Sequence, residues 1–195
     1  MTSPANVHGV LADQFNVDSI LSLSNPSWDR KIAADLIAEM EVHLADKVST
    51  LPEMRRILAV KGYQALRKRI EAEIAGKNGQ DAFRAMVLSM RSFALERPGL
   101  SAATFRSPST DTPEWRQAFS DLSEIVMRVF SEVALVGDPA QHALRALRSF
   151  VRGFVLNETA GSFLDPLECQ KSYELGIEML ILGLPAFADA GLASD

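Results

Sequence analysis

The stretch Thr50–Gly79, TLPEMRRILAVKGYQALRKRIEAEIAGKNG, decides the class of fold. Thr50 carries the side chain of a helix N-cap. Pro52 falls in the first turn, where a missing N–H costs nothing, and Glu53 stands three residues after the cap, the spacing of a capping box. Met54, Ile57, Leu58, Leu66 and Ile70 then share one stripe, and Gly76-Lys-Asn-Gly79 stops the pattern. The spacing predicts a helix ending at about Ala75.

The same grammar continues on both sides. Downstream, Asp81 to Arg97 reads as a helix that Pro98-Gly99 stops, followed by a short turn from Leu100 to Phe105 and a polar loop from Arg106 to Thr112. Glu114 to Leu135 is long and amphipathic, Gly137-Asp-Pro139 interrupts, and Ala140 to about Thr159 and Leu167 to Leu184 are the last two long helices. Upstream, Ser27 can cap a helix from Trp28 to Val48 whose Ile32, Leu36, Met40 and Leu44 recur every four residues. No stretch alternates apolar and polar residues long enough to argue for a strand. The expected class is all-α.

Composition bounds the function. The chain has 195 residues, 47% of them hydrophobic and 23% charged, with a formal charge of −5, enough apolar content to bury a sizeable core. A single cysteine, Cys169, rules out an internal disulfide framework and a cysteine-rich zinc site. The first residues lack a basic region followed by an apolar stretch, so the cytoplasm is the expected location. The longest apolar run, Met179 to Ala188, is interrupted by Gly183 and Pro185 and is far short of the roughly 20 residues of a membrane helix. Three histidines, no His-x-x-x-His, no Gly-x-Ser-x-Gly and no glycine-rich phosphate loop leave catalysis without an inventory. No enzyme activity, cofactor or metal is expected.

Charge is unevenly spread. Residues 1–50 set Arg30, Lys31 and Lys47 against seven carboxylates, a balance of −4. Residues 51–77 set seven cations, Arg55, Arg56 and Lys61 among them, against three carboxylates, a balance of +4. An acidic head therefore precedes a basic helix.

The last two helices are the most apolar. Leu147, Phe150 and Phe154 mark a wide stripe on the first; on the second, Tyr173, Ile177, Leu180 and Leu184 stand among apolar neighbours on nearly all sides. A helix that is apolar all round must be covered all round. The cover is either the core of the subunit or a second copy in an isologous four-helix interface, and the pattern leaves both open.

From Leu51 onward the chain resembles the C-terminal regulatory domain of one branch of the TetR family of transcriptional regulators. Leu51 to Tyr63 is similar to the helix linking the DNA-binding head to the sensor domain, and Glu96 to Pro108 resembles a Pro-Gly, then Phe-Arg-x-Pro motif. Arg145 to Phe154 is similar to the stretch carrying a Trp-His-Gly signature, here Val151-Arg152-Gly153, and Asn157 to Phe163 with Ser172 completes the series. The resemblance implies a head in residues 1–50 and a ligand-sensing, dimer-forming domain in residues 51–195. It implies a homodimer through the last two long helices, with Leu147, Phe150, Phe154, Tyr173, Ile177, Leu180 and Leu184 at the interface. It also implies an internal cavity for a small apolar effector, for which Met86, Met90, Phe93, Phe105, Met127 and Phe130 are the candidates; the same residues at helical spacing also read as plain core.

The head departs from the family pattern. Leu44-Ala45-Asp46-Lys47-Val48 stands where a Leu-Tyr-x-His run closes the recognition helix, and the glycine turn before it is absent. An acidic segment is repelled by a polyanion. Lys47, Arg55 and Arg56 remain as weak phosphate contacts. Two readings follow: a TetR-type regulator that senses a small ligand as a homodimer, or a TetR-like dimerising ligand-binding or interaction module that has lost DNA binding.

Overall fold

A computed structural model describes residues 34, 35, 38 and 39, 51–105 and 112–192, without the side chains of 51–55, 105 and 190–192. Among the described residues from 51 onward, six helices run in order: α1 Leu51–Ile74, α2 Gly79–Glu96, α3 Pro98–Phe105, α4 Pro113–Ser131, α5 Gly137–Ala160 and α6 Cys169–Leu192. Residues 34, 35, 38 and 39 are helical too, and no strand occurs among the described residues. The all-α expectation is met. The boundary expected near residue 50 and most of the head lie outside the described residues.

The chain divides into two compact units, one of residues 1–64 and 96–119 and the other of 65–95 and 120–195. In the first, Leu58, Tyr63, Leu100 and Ala118 are buried. α3 was expected only as a turn after a Pro-Gly stop; it is a helix that begins at Pro98, because proline suits the first helical position. Its next two amides, Gly99 and Leu100, donate to Asp35 Oδ2 at 2.9 and 3.2 Å. That cap comes from more than sixty residues upstream, so local sequence could not announce it. Gly62 permits α1 and α3 to touch: a Cβ there would lie 2.6 Å from the Leu100 carbonyl oxygen and 2.7 Å from Thr104 Cγ2.

In the second unit, α2 buries Phe83, Met86, Val87, Phe93 and Ala94, and α4 answers with Val126, Val129 and Phe130. The Phe83 and Phe130 rings lie 5.9 Å apart. α4 stops at Ser131, four residues short of expectation. Ala134 takes a left-handed φ of 63°, and the Leu135 amide turns back to the Phe130 carbonyl at 2.9 Å. This closing turn seats Leu135, 1% exposed, under the helix end, and that burial offsets the strain of a left-handed alanine. α5 ends on Gly161 (φ 64°), as the glycine after Ala160 suggests. α6 was expected to stop before Pro185 but runs to Leu192; the proline is exposed, and Phe187 and Ala188 beyond it are half-buried.

Candidate functional site

α5 and α6 pack directly on each other, and an aromatic seam joins them. The Phe150 ring stacks on Tyr173 at 5.0 Å, Phe154 meets Tyr173 edge-on at 4.9 Å, and Phe163 closes on Phe154 at 5.1 Å. Gly176 makes the approach feasible, since a Cβ there would sit 2.6 Å from Phe150 Cζ. Tyr173 is fully enclosed and donates its hydroxyl to the Val87 carbonyl at 3.0 Å. Burial pushes that hydroxyl well above its ordinary pKa, and Glu158 adds to the rise while Arg91 opposes it. Arg91 lies 5.3 Å from the Tyr173 ring centroid and holds Glu158 through two hydrogen bonds of 2.8 and 2.6 Å, with a third to Gln170. One buried guanidinium thus ties α2 to both of the last helices.

Of the residues expected at an interface, Leu147, Tyr173 and Ile177 are at most 2% exposed and Leu184 is buried within the single subunit. Phe150, Phe154 and Leu180 are half-buried, the first two by the seam itself. The apolar surface that α6 does present is another stripe: Leu175, Met179 and Leu182, exposed by 54, 75 and 80% and spaced i, i+4, i+7. Gly153 on α5 and Gly183, next to Leu182 on α6, have open space where a Cβ would stand. Periodicity alone could not choose between these stripes, because α6 is apolar around most of its circumference.

The residues expected to line a cavity separate. Met86, Phe93 and Phe130 are closed inside the core of the second unit, and Met90 is half-buried. The Phe105 side chain lies outside the described residues. Met127 borders a groove of about 510 Å³ with Ile125, and its other walls are Arg67, Glu71, Asp121, Glu124, Arg128 and Ser131. Arg67 pairs there with Glu71 at 3.1 Å and Asp121 at 3.6 Å, so this groove is charged rather than apolar. Sequence reasoning missed an aromatic cluster in the first unit. Trp115 stacks on Phe119 at 5.6 Å, and Tyr63 meets Phe119 at 5.8 Å and Trp115 at 6.4 Å. The Trp115 indole nitrogen is buried without an acceptor among the described residues. Trp115 and Phe119, four apart on α4, were the available signal, but their meeting with Tyr63 is tertiary.

Of the phosphate-contact candidates, Lys47 and the Arg55 side chain lie outside the described residues, and Arg56 pairs with Glu114 at 3.7 Å. Lys61 is bound to Glu39 Oε2 at 2.6 Å. Burial raises the Glu39 carboxyl, but hydrogen bonds and charge from Lys61 and Arg97 outweigh it and hold the group below the usual carboxylate value. Among the described residues no cluster of His, Cys, Asp and Glu could hold a metal ion, and no helix is long and apolar enough to cross a membrane.

A family model described as tetracyclin repressor-like, C-terminal domain matches residues 83–180, half of the chain, from within α2 to within α6. No curated protein matches the chain.

Proposed function

The chain belongs to the family of tetracycline repressor-like C-terminal domains, and from that premise we propose that it is a TetR-type regulator acting as a homodimer that senses a small ligand. The family match over residues 83–180 carries the reading. The exposed Leu175–Met179–Leu182 stripe supports the dimer, since covering a large apolar side chain is worth about 1.5–3 kcal/mol. Gly183, next to Leu182, would let a second backbone come close. The partner is a second copy, with the two stripes facing across a two-fold axis.

The ligand reading is best supported by Tyr63, Trp115 and Phe119. The three clustered aromatic rings, with a buried N–H that has no acceptor among the described residues, suit a planar apolar molecule that carries one hydrogen-bond acceptor. A second reading keeps the dimer and ligand but not the DNA: the described carboxylates of the acidic head, Asp35 and Glu39, are engaged within the subunit, and so is Arg56.

Sedimentation velocity tests the dimer. The wild type is expected to sediment as a dimer, and Met179→Asp with Leu182→Asp as a monomer of unchanged helicity, because both side chains point into solvent in the single subunit. A wild type that stays monomeric at high concentration removes the dimer from the reading. Specific, salt-resistant binding to its own upstream DNA selects the regulator over the second reading.

A further inference from the structure

The described residues 34, 35, 38 and 39 are built inside out. Ala34 and Ala38 are exposed, whereas the side chains of Asp35 and Glu39, one turn apart on the same face, are only 15% exposed. A solvated acidic face has the reverse order, so these carboxylates are turned inward by what they meet.

What they meet is a complete set of donors. Arg97 Nε donates to Asp35 Oδ1 at 3.0 Å and its Nη2 reaches Glu39 Oε1, so one guanidinium bridges both acids. The Gly99 and Leu100 amides take Asp35 Oδ2, and Lys61 takes Glu39 Oε2. All four carboxylate oxygens are engaged. The receiving side is itself held firmly. Gly62 seats α1 against Leu100 and Thr104, and the Tyr63 hydroxyl donates to the Thr104 carbonyl at 3.1 Å. Lys61 lies beside these contacts on α1, next to Gly62, so the acids meet a corner that α1 and α3 already share.

We propose that Asp35 and Glu39 form an ionic latch with Arg97, Lys61 and the first turn of α3, and that it opens when those charges are screened or Arg97 is removed. Arg97 and Lys61 are about a third exposed, so water and salt reach the contact. The contacts of Asp35 and Glu39 with this corner are ionic and polar, so they weaken with ionic strength in a way that the apolar α5–α6 seam does not. The latch requires neither a ligand nor a dimer.

Hydrogen exchange on the full chain reads it directly. Going from about 0.05 M to about 0.5 M salt shortens the Debye length severalfold, and exchange in peptides spanning 34–39 is expected to accelerate while α5 and α6 hold. Arg97→Gln at low salt removes both ion pairs of Arg97 and is expected to raise exchange there by several-fold, up to about tenfold, and to abolish most of the salt response. Glu39→Gln is expected to give a smaller rise. Exchange in 34–39 indifferent to salt and to both variants overturns the latch. If Arg97→Gln also loosens α6, the salt series on the wild type and Glu39→Gln decide.

Discussion

Arg91→Leu removes the guanidinium that ties α2 to α5 and α6, and its cost follows from what remains behind. The Arg91 side chain is 9% exposed and Glu158 17%, so the variant strands a largely buried carboxylate with its two best donors gone. Breaking one side of a buried pair costs about 3–5 kcal/mol. The residual exposure of Glu158 lets some water in, which places the expected loss near the lower end, about 3 kcal/mol. At about 2–4 °C per kcal/mol for a chain of this size, the melting temperature should fall by roughly 6–12 °C. Glu158→Leu should cost a similar amount, because it strands the arginine instead. The double variant Arg91→Leu with Glu158→Leu leaves no orphan charge and should lie within about 1 kcal/mol of wild type. Urea unfolding followed by far-UV circular dichroism, at one protein concentration and with unchanged m, measures all four corners of the cycle. A double variant that loses as much as both singles together would refute the reasoning, as would an Arg91→Leu loss below about 1 kcal/mol.

Three glycine-to-alanine changes should rank by what the new Cβ meets. Gly62→Ala meets the Leu100 carbonyl at 2.6 Å, which is backbone and cannot yield, and should lose about 1–3 kcal/mol; Gly176→Ala meets the tip of the Phe150 ring and should lose less. Gly153→Ala meets nothing in the subunit and should be neutral or gain up to about 1 kcal/mol from helix propensity, as thermal melts of the three will show. The depressed Glu39 pKa carries a pH prediction. Because the folded value lies below the ordinary one of 4.5, its contribution is complete above pH 4.5 and is lost as pH falls through the folded value. Exchange in 34–39 should therefore rise, relative to intrinsic rates, on acidification below about pH 4.5 and stay flat from pH 5 to 7.

The residues that made the helices legible were those acting on their neighbours. Glycines at the stops and apolar residues at three- and four-residue spacing work within one or two turns, so they can be read along the chain. The misplaced ends depend on contacts that spacing does not show. α3 begins at Pro98 with its next amides capped by Asp35, more than sixty residues upstream, and α4 stops at Ser131, where Leu135 is buried under the helix end. Met86, Phe93 and Phe130, expected at a pocket, are buried in the second unit, while the Tyr63–Trp115–Phe119 cluster, which no local spacing announces, joins positions about fifty residues apart.

The sequence by itself determined an all-helical chain, a TetR-like C-terminal half and an acidic head. Those follow from local spacing, from motif order and from counting charge. Only the tertiary structure decided which stripe of α6 is covered and which is bare, and that Asp35 and Glu39 face inward. A helix that is apolar on every side, or acidic on one, carries no mark of its neighbour. Burial is a property of the contact, and the partner that makes it lies elsewhere in the chain.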